Sequence, residues 1–308
     1  MNYTAIVILN YNNITDTINC IDSVLKHTDS RSVKIFVIDN ASEKTTYQEV
    51  KEYLEDKNAL CINSKDKEAI PEDFPSITYL RNDINYGYAN GNNSALHLID
   101  KDRSIDKVMI LNNDTLFTED IITPLATYLD QHEDCGIVAP LLYGRTGDID
   151  RECARKEKTL GYFMTLMPLF GHIDYFKKKA QECYISLDKV QEKDILATQL
   201  ISGACFMMRK SVFSKIGYFA SGTFLYFEED ILWKKIQRLG MYNCVLPKYS
   251  CIHLGANSTS KSSSFFILKC HVESMIYYLK GFSSFDKFSI LFMTTLAKLS
   301  LKIKTLKA

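Results

Sequence analysis

The 308 residues read as an α/β protein: a Rossmann-like, mostly parallel sheet flanked by helices, followed by a C-terminal helical extension. Three observations predict it. Continuous apolar runs of strand length recur, as expected of strands buried on both faces. Each run ends in a polar cluster rich in Asn and Asp. Stretches with apolar residues at helical spacing separate the runs, as βαβ units require.

The first run, Ala5-Ile6-Val7-Ile8-Leu9, ends in Asn10-Tyr11-Asn12-Asn13. Thr15 or Asp16 is placed to cap the next helix, with Ile18, Ile21, Val24 and Leu25 on one face. Val33-Lys34-Ile35-Phe36-Val37-Ile38 is a second strand, ending in Asp39-Asn40-Ala41-Ser42, and the crossover between the two should be right-handed. A helix over residues 45–57 leads into a charged, variable stretch reaching residue 73. Ile77-Thr78-Tyr79-Leu80 is a third strand, and Asn85-Tyr86-Gly87-Tyr88-Ala89-Asn90-Gly91-Asn92-Asn93 opens the next helix. Its two glycines let backbone approach a ligand, and the helix N-terminus suits a phosphate. The spacing is not G-x-G-x-x-G, which disfavours a dinucleotide site.

Val108-Met109-Ile110-Leu111 is a buried parallel strand ending in Asn112-Asn113-Asp114-Thr115. In open α/β sheets ligands sit outside the strands' carboxyl ends, where a carboxylate such as Asp114 can hold a divalent cation on a phosphate. A helix over residues 121–129 and a strand over 136–140 follow. Residues 144–198 mix charge runs with an amphipathic stretch over 160–176 and read as an insert beside the active face. That insert is either a packed surface helix, an acceptor lid or a membrane-contacting patch. Residues 200–208 form a strand in which Gly203 marks a bulge or close approach. Glu228-Glu229-Asp230 open a helix that stops at Gly240, where acids suit the helix dipole. Mutual repulsion can also raise one acid's pKa and make it a general base. Trp233 lies one turn beyond Glu229, either stacking on a sugar or packing in the core. A last strand over residues 241–252 leads to His253-Leu254-Gly255-Ala256-Asn257-Ser258, where His253 either is structural or joins a metal or phosphates.

Composition narrows the class. Thirty-seven basic and 37 acidic side chains give zero net charge, so no global field favours nucleic acid or a membrane. Nine cysteines without zinc spacing argue against a structural metal and for a reducing, cytoplasmic setting. The N-terminus lacks signal-peptide features, and no run of 18 apolar residues predicts a spanning helix. The C-terminal stretch, with Ile290, Leu291, Phe292, Met293 and Leu296 and with Lys298, Lys302, Lys304 and Lys307 toward its end, suits an interfacial helix on an anionic inner leaflet. Packing on the sheet and a dimer contact are the alternatives, and the oligomeric state is left open.

The polar tips at Asn10-Tyr11-Asn12, Asp39-Asn40-Ala41-Ser42, Asn85 to Asn93 and Asn112-Asn113-Asp114-Thr115 occur in this order. Gly203-Ala204-Cys205-Phe206-Met207-Met208-Arg209, Phe224-Leu225-Tyr226-Phe227-Glu228-Glu229-Asp230 and His253-Leu254-Gly255 follow. Together, over roughly residues 3–260, they resemble family 2 glycosyltransferases of the GT-A fold. They are most similar to the rhamnosyltransferase-like members that build bacterial surface polysaccharides. The resemblance implies a catalytic domain over residues 1–260 and an extension over 261–308. It also implies a nucleotide-sugar donor (dTDP- or UDP-linked), a glycan acceptor that is free or lipid-linked, Mn²⁺ or Mg²⁺, and inversion at the sugar carbon. Carried over by motif, Asn10, Tyr11 and Asp39 line base and ribose, and Asn85, Gly87, Asn90, Asn93 and Asn113 border the nucleotide. Asp114 matches the last acid of the family's D-x-D motif, with Asn112 in place of the first. His253 matches a histidine that helps hold the metal or diphosphate, and Glu229 and Asp230 both remain candidates for the base. Two other readings stay open: a non-catalytic nucleotide-sugar binder and a sugar nucleotidyltransferase. The absence of Lys or Arg from Asn10-Tyr11-Asn12-Asn13 disfavours the second.

Overall fold

The computed structural model describes residues 2–65, 71–166, 170, 172–255 and 264–305. The motif tail Ala256-Asn257-Ser258 and Lys307 lie outside them.

Strand β1 (Tyr3–Asn10) pairs in parallel with β2 (Val33–Asp39), and helix α1 (Ile14–His27) connects them. Asn13 caps α1 by accepting from the Asp16 amide; neither Thr15 nor Asp16 is the cap, because the strand's polar tip already delivers an extended Asn. Beyond β2 come α2 (Lys44–Glu55), β3 (Leu60–Asn63), β4 (Ile77–Arg81), α3 (Gly87–Ile99) and β5 (Ile105–Asn112). The short strand β3 extends the parallel sheet from within the stretch read as a variable insert. Next are β6 (Thr115–Phe117), α4 (Ile122–Gln131), β7 (Cys135–Gly144), β8 (Ala154–Arg155), α5 (Leu160–Thr165) and α6 (Asp174–Gln181). The chain then forms β9 (Leu196–Thr198), β10 (Leu200–Ile201), β11 (Cys205–Arg209), α7 (Lys210–Lys215), α8 (Glu228–Arg238) and β12 (Tyr242–His253). Helices α9 (Ser264–Gly281) and α10 (Lys287–Thr305) end it.

The main sheet runs β3-β4-β2-β1-β5-β11-β7-β12-β6, with β9 paired to β12. Its first five strands are parallel, as the buried apolar runs require, while β11 enters antiparallel to both β5 and β7. The stretch over 200–208 is therefore two strands: β10 pairs with β8 in a small separate sheet, and the chain breaks at Ser202-Gly203-Ala204 before joining the main one. Strand β1 sits between β2 and β5, so connections leave it in opposite directions. That is a topological switch point, and a crevice opens at its carboxyl end.

One large apolar core fills both faces of the sheet, and Trp233 belongs to it. A second cluster joins Phe163 of α5, Phe227 and Ile231 to Val272, Met275, Tyr278 and Leu279 of α9 and Met293 and Ala297 of α10. The C-terminal helices therefore pack on the insert and on α8. Among the described residues no helix is long and apolar enough to cross a membrane.

Candidate active site

A cavity of about 390 Å³ lies at the carboxyl ends of β1 and β5. Leu9, Asn112, Asn113 and Asp114 supply its strand-end wall, and Asn85, Gly87 and Tyr88 a second wall. Phe224, Leu225, Phe266 and His253 complete it, with Tyr11 and Asn40 also lining it.

Strand register builds the acidic side. Strands β12 and β6 pair so that His253 lies opposite Thr115, and the Leu254 amide donates to the Asp114 carbonyl at 2.9 Å. This brings His253 Nε2 to 3.4 Å from Asp114 Oδ1. The other ring nitrogen, Nδ1, faces Asp150 Oδ2 at 3.3 Å. Burial alone lowers the pKa of His253, but Asp114 and Asp150 outweigh it and raise it to about 10. Asp150 was not legible as a site residue, because it lies in the irregular stretch after β7 and reaches His253 only through the fold.

No group of three His, Cys, Asp or Glu side chains that could hold a metal occurs among the described residues. Asp114 and His253 nevertheless fit a Mn²⁺ or Mg²⁺ ion. Such ions keep most positions for water and substrate phosphates and take one or two protein ligands. An imidazole whose Nδ1–H is held by a carboxylate turns its Nε2 lone pair toward the metal position. Asn112 lines the same wall and offers a neutral oxygen where the motif's first acid stands. Among the described residues that line the cavity there is no Lys or Arg.

The loop over residues 85–87 is organised by Asn40, which the motif reading passed over. Its Nδ2 donates to Asn85 Oδ1 at 2.8 Å and to the Gly87 carbonyl at 3.1 Å, while its Oδ1 accepts from the Tyr86 amide at 3.1 Å. Gly87 is obligatory: its φ is +75°, and a Cβ there would sit 2.3 Å from the Phe224 carbonyl oxygen.

Four expected lining residues are placed elsewhere. Asn10 and Asp39 are fully buried. Asn10 Oδ1 accepts from Thr17 Oγ1 at 3.0 Å, and Asp39 accepts from the Ser42 amide at 3.1 Å, so they brace the strand tips from beneath. Burial raises the Asp39 pKa. Asn93 forms a two-way clamp with the Phe219 backbone at 3.1 Å each way. Asn90 donates to the Ser221 carbonyl at 3.1 Å. Both asparagines face the loop over residues 218–223.

The two candidate bases part company. Asp230 is buried in an ion pair with Lys158, which also lies over the Phe227 ring at 4.2 Å. Its carboxylate is sealed from solvent and held to Lys158, so Glu229 is the more accessible of the two candidates. Glu229 is half-buried, and its Oε1 accepts from the Gly203 amide at 3.2 Å. Gly203 leaves the room, since a Cβ there would meet Tyr88 Oη at 2.8 Å and Glu229 Oε1 at 3.2 Å. Tyr88 Oη donates to the Gly203 carbonyl at 2.7 Å, so Glu229 stands directly behind a wall of the cavity. The acid whose pKa rises is Glu228, pushed up to about 8 by burial and by Glu229.

The helix carrying these acids starts from two consecutive left-handed residues, Tyr226 (φ +75°) and Phe227 (φ +68°). Each costs about 1–3 kcal/mol. Packing offsets this: the Phe227 ring stacks 5.6 Å from Tyr278 and 6.0 Å from Phe163, and Ser274 Oγ donates to the Leu225 carbonyl at 2.8 Å.

The sequence profile described as Glycosyl transferase family 2 matches residues 5–217, more than half of the chain. The chain belongs to glycosyl transferase family 2. A curated relative in this direction is the low-salt glycan biosynthesis hexosyltransferase Agl10 of Haloferax volcanii, 26% identical over 153 residues. That match covers 50% of this family 2 chain and 44% of the relative, so the chain spans less than half of its length. Among solved structures, GalNAc-T7 with UDP, GalNAc and Mn²⁺ is similar at a TM-score of 0.60 and 13% identity, covering 98% of this chain and 55% of that one. The Pyrobaculum calidifontis mannosyltransferase PcManGT, solved with GDP-Man and Mn²⁺, gives 0.56 at 14% identity, covering 99% and 75%. Staphylococcus aureus TarS (residues 1–349) gives 0.53 at 13%, covering 96% and 70%. At these identities the likeness establishes the GT-A fold alone.

Proposed function

We propose that this family 2 protein transfers a sugar, with inversion, from a UDP- or dTDP-linked donor to a hydroxyl of a lipid-linked glycan in surface-polysaccharide synthesis. The observation that carries the reading is the Asp114–His253 pair, 3.4 Å apart on the wall of the switch-point cavity. The structural relatives solved with nucleotides or nucleotide-sugars and Mn²⁺ support it.

Asp114 and His253 would hold the divalent cation, with Asp150 fixing the imidazole. When bound, the cation supplies Lewis-acid stabilisation to the departing diphosphate. The loop ordered by Asn40 receives the nucleotide. Glu229 takes the proton from the acceptor hydroxyl as it attacks the anomeric carbon opposite the diphosphate. Gly203 aims that carboxylate, and the buried Asp230–Lys158 pair anchors the helix beneath it.

A thermal-shift screen of nucleotide-sugars, with and without Mn²⁺, tests the reading. A donor at about 100 times its Kd should stabilise the fold by about 2.7 kcal/mol. One UDP- or dTDP-sugar should raise Tm, and more so with Mn²⁺. If only nucleoside triphosphates do so, the nucleotidyltransferase reading takes its place.

A further inference from the structure

Helix α10 has two faces of opposite function. Its inner face, with Met293 and Ala297, is buried in the second apolar cluster. Its outer face presents Lys287, Phe288, Leu291, Phe292, Thr295, Lys298, Leu299 and Lys302 at helical spacing. Phe288 is 77% exposed, Leu291 65%, Leu299 50% and Phe292 41%. A surface helix with large apolar groups on both faces calls for a second apolar phase.

The patch continues onto the insert. Phe170 lies 6.5 Å from Phe292 and 5.8 Å from Phe176, and Phe176 lies 5.4 Å from the exposed Tyr175. The two stretches read separately from the sequence as membrane-contacting candidates thus meet in one surface.

Charge selects the occupant. Residues 287–305 contain no Asp or Glu, while Lys287, Lys298 and Lys302 flank the exposed apolar groups. A second copy docked through the same face would bring lysines together with no acid from either α10 to meet them. Anionic headgroups above an acyl layer meet both features: phosphates take the lysines, and the Phe and Leu side chains enter the apolar boundary.

We propose that the outer face of α10, extended by Phe170, Tyr175 and Phe176 of the insert, docks on an anionic phospholipid surface. The helix lies in the interface rather than crossing it. Only five residues separate α9 from α10, so α10 doubles back along α9, whose first turn carries the cavity residue Phe266. Docking therefore sets the cavity mouth beside the bilayer, where a lipid-linked acceptor would be presented. This consequence, unlike the docking itself, rests on the proposed reaction.

Vesicle flotation of the full chain tests the docking without donor or acceptor. Vesicles of mixed phosphatidylglycerol and phosphatidylcholine should float the protein, pure phosphatidylcholine much less, and high salt should release it. Each lysine near the surface contributes about fivefold in partitioning. Lys298→Glu with Lys302→Glu should therefore cut flotation by roughly 25-fold or more, with Tm unchanged. Leu291→Asp should also abolish it. Failure of the unmodified protein to float on the anionic vesicles overturns the proposal, as does flotation indifferent to salt and to both variants. A dimer in size-exclusion chromatography that Leu291→Asp dissociates, without vesicle binding, assigns the face to a second copy instead. If flotation fails while a nucleotide-sugar still raises Tm, the docking is wrong and the proposed reaction stands.

Discussion

The cavity has two halves built by different means. The half proposed to hold the donor is made of strand ends, where ladder register sets the positions: Leu9 opposite Asn112, and His253 opposite Thr115. The half proposed to face the acceptor is lined by Phe224, Leu225 and Phe266 and backed by Gly203 and the α8 tip. It is held by aromatic packing around Phe227 and by the buried Asp230–Lys158 pair. The donor half is positioned by hydrogen bonds within the sheet. The acceptor half is positioned by side-chain contacts between helices and irregular segments, such as Tyr278 with Glu157. The same protein therefore fixes the proposed metal ligands through sheet register and the proposed base through a packed, strained turn.

Predictions follow that contrast, the largest first. Asp114→Ala should remove the cation's carboxylate and lower turnover by roughly a thousandfold or more, given the several kcal/mol a catalytic metal contributes. Donor binding, measured by titration calorimetry with Mn²⁺, should weaken as well. Unchanged turnover would remove the donor half from the account.

Glu229→Gln should lower kcat by roughly a hundred- to ten-thousandfold while leaving donor affinity and Tm intact. Its neighbour should behave in the opposite way. Asp230→Asn leaves Lys158 buried without its counter-charge, and its cost of about 3–5 kcal/mol should appear in thermal unfolding. Equal Tm values for the two variants would erase the distinction between aimed acid and structural acid.

Asp150→Ala frees the His253 ring and should weaken Mn²⁺ binding by roughly 10- to 100-fold, read by electron paramagnetic resonance of free Mn²⁺ with UDP present. Asp150→Asn, which keeps an oxygen that accepts from Nδ1, should lose less.

The smallest effect concerns pH. Glu228 has a folded pKa of about 8 against an ordinary 4.5. The folded state therefore holds a proton that the unfolded chain has released between these values, and stability falls as pH rises through the window. Glu228→Gln should raise Tm relative to the unmodified protein by several degrees at pH 8, with the gap closing below about pH 4.5.

The same contrast explains what the sequence could tell. Apolar runs and their polar tips are local signals, so β1, β2, β4, β5 and the residues Asn112, Asn113 and Asp114 were readable in place. The resemblance grouped His253 with Asp114, and the register of β12 with β6 brings the two side chains together. Asn90 and Asn93 share a motif with Gly87, but motif order says nothing of which helix face a residue occupies. Asp150 and Lys158 lie in irregular stretches whose partners are remote in sequence. The choice between Glu229 and Asp230 is a matter of burial, which the clustered acids do not disclose. The antiparallel entry of β11 was also hidden, since a buried apolar run reads alike in either direction.

The central claim is that Asp114 and His253 share a cation with a nucleoside diphosphate. Anomalous diffraction at the manganese edge, from crystals grown with Mn²⁺ and UDP or dTDP, tests it most directly. The account predicts a peak within about 2.5 Å of both the Asp114 carboxylate and His253 Nε2, touching the diphosphate. Nucleotide bound without such a peak, or a peak seated instead among Glu228, Glu229 and Asp230, would contradict it.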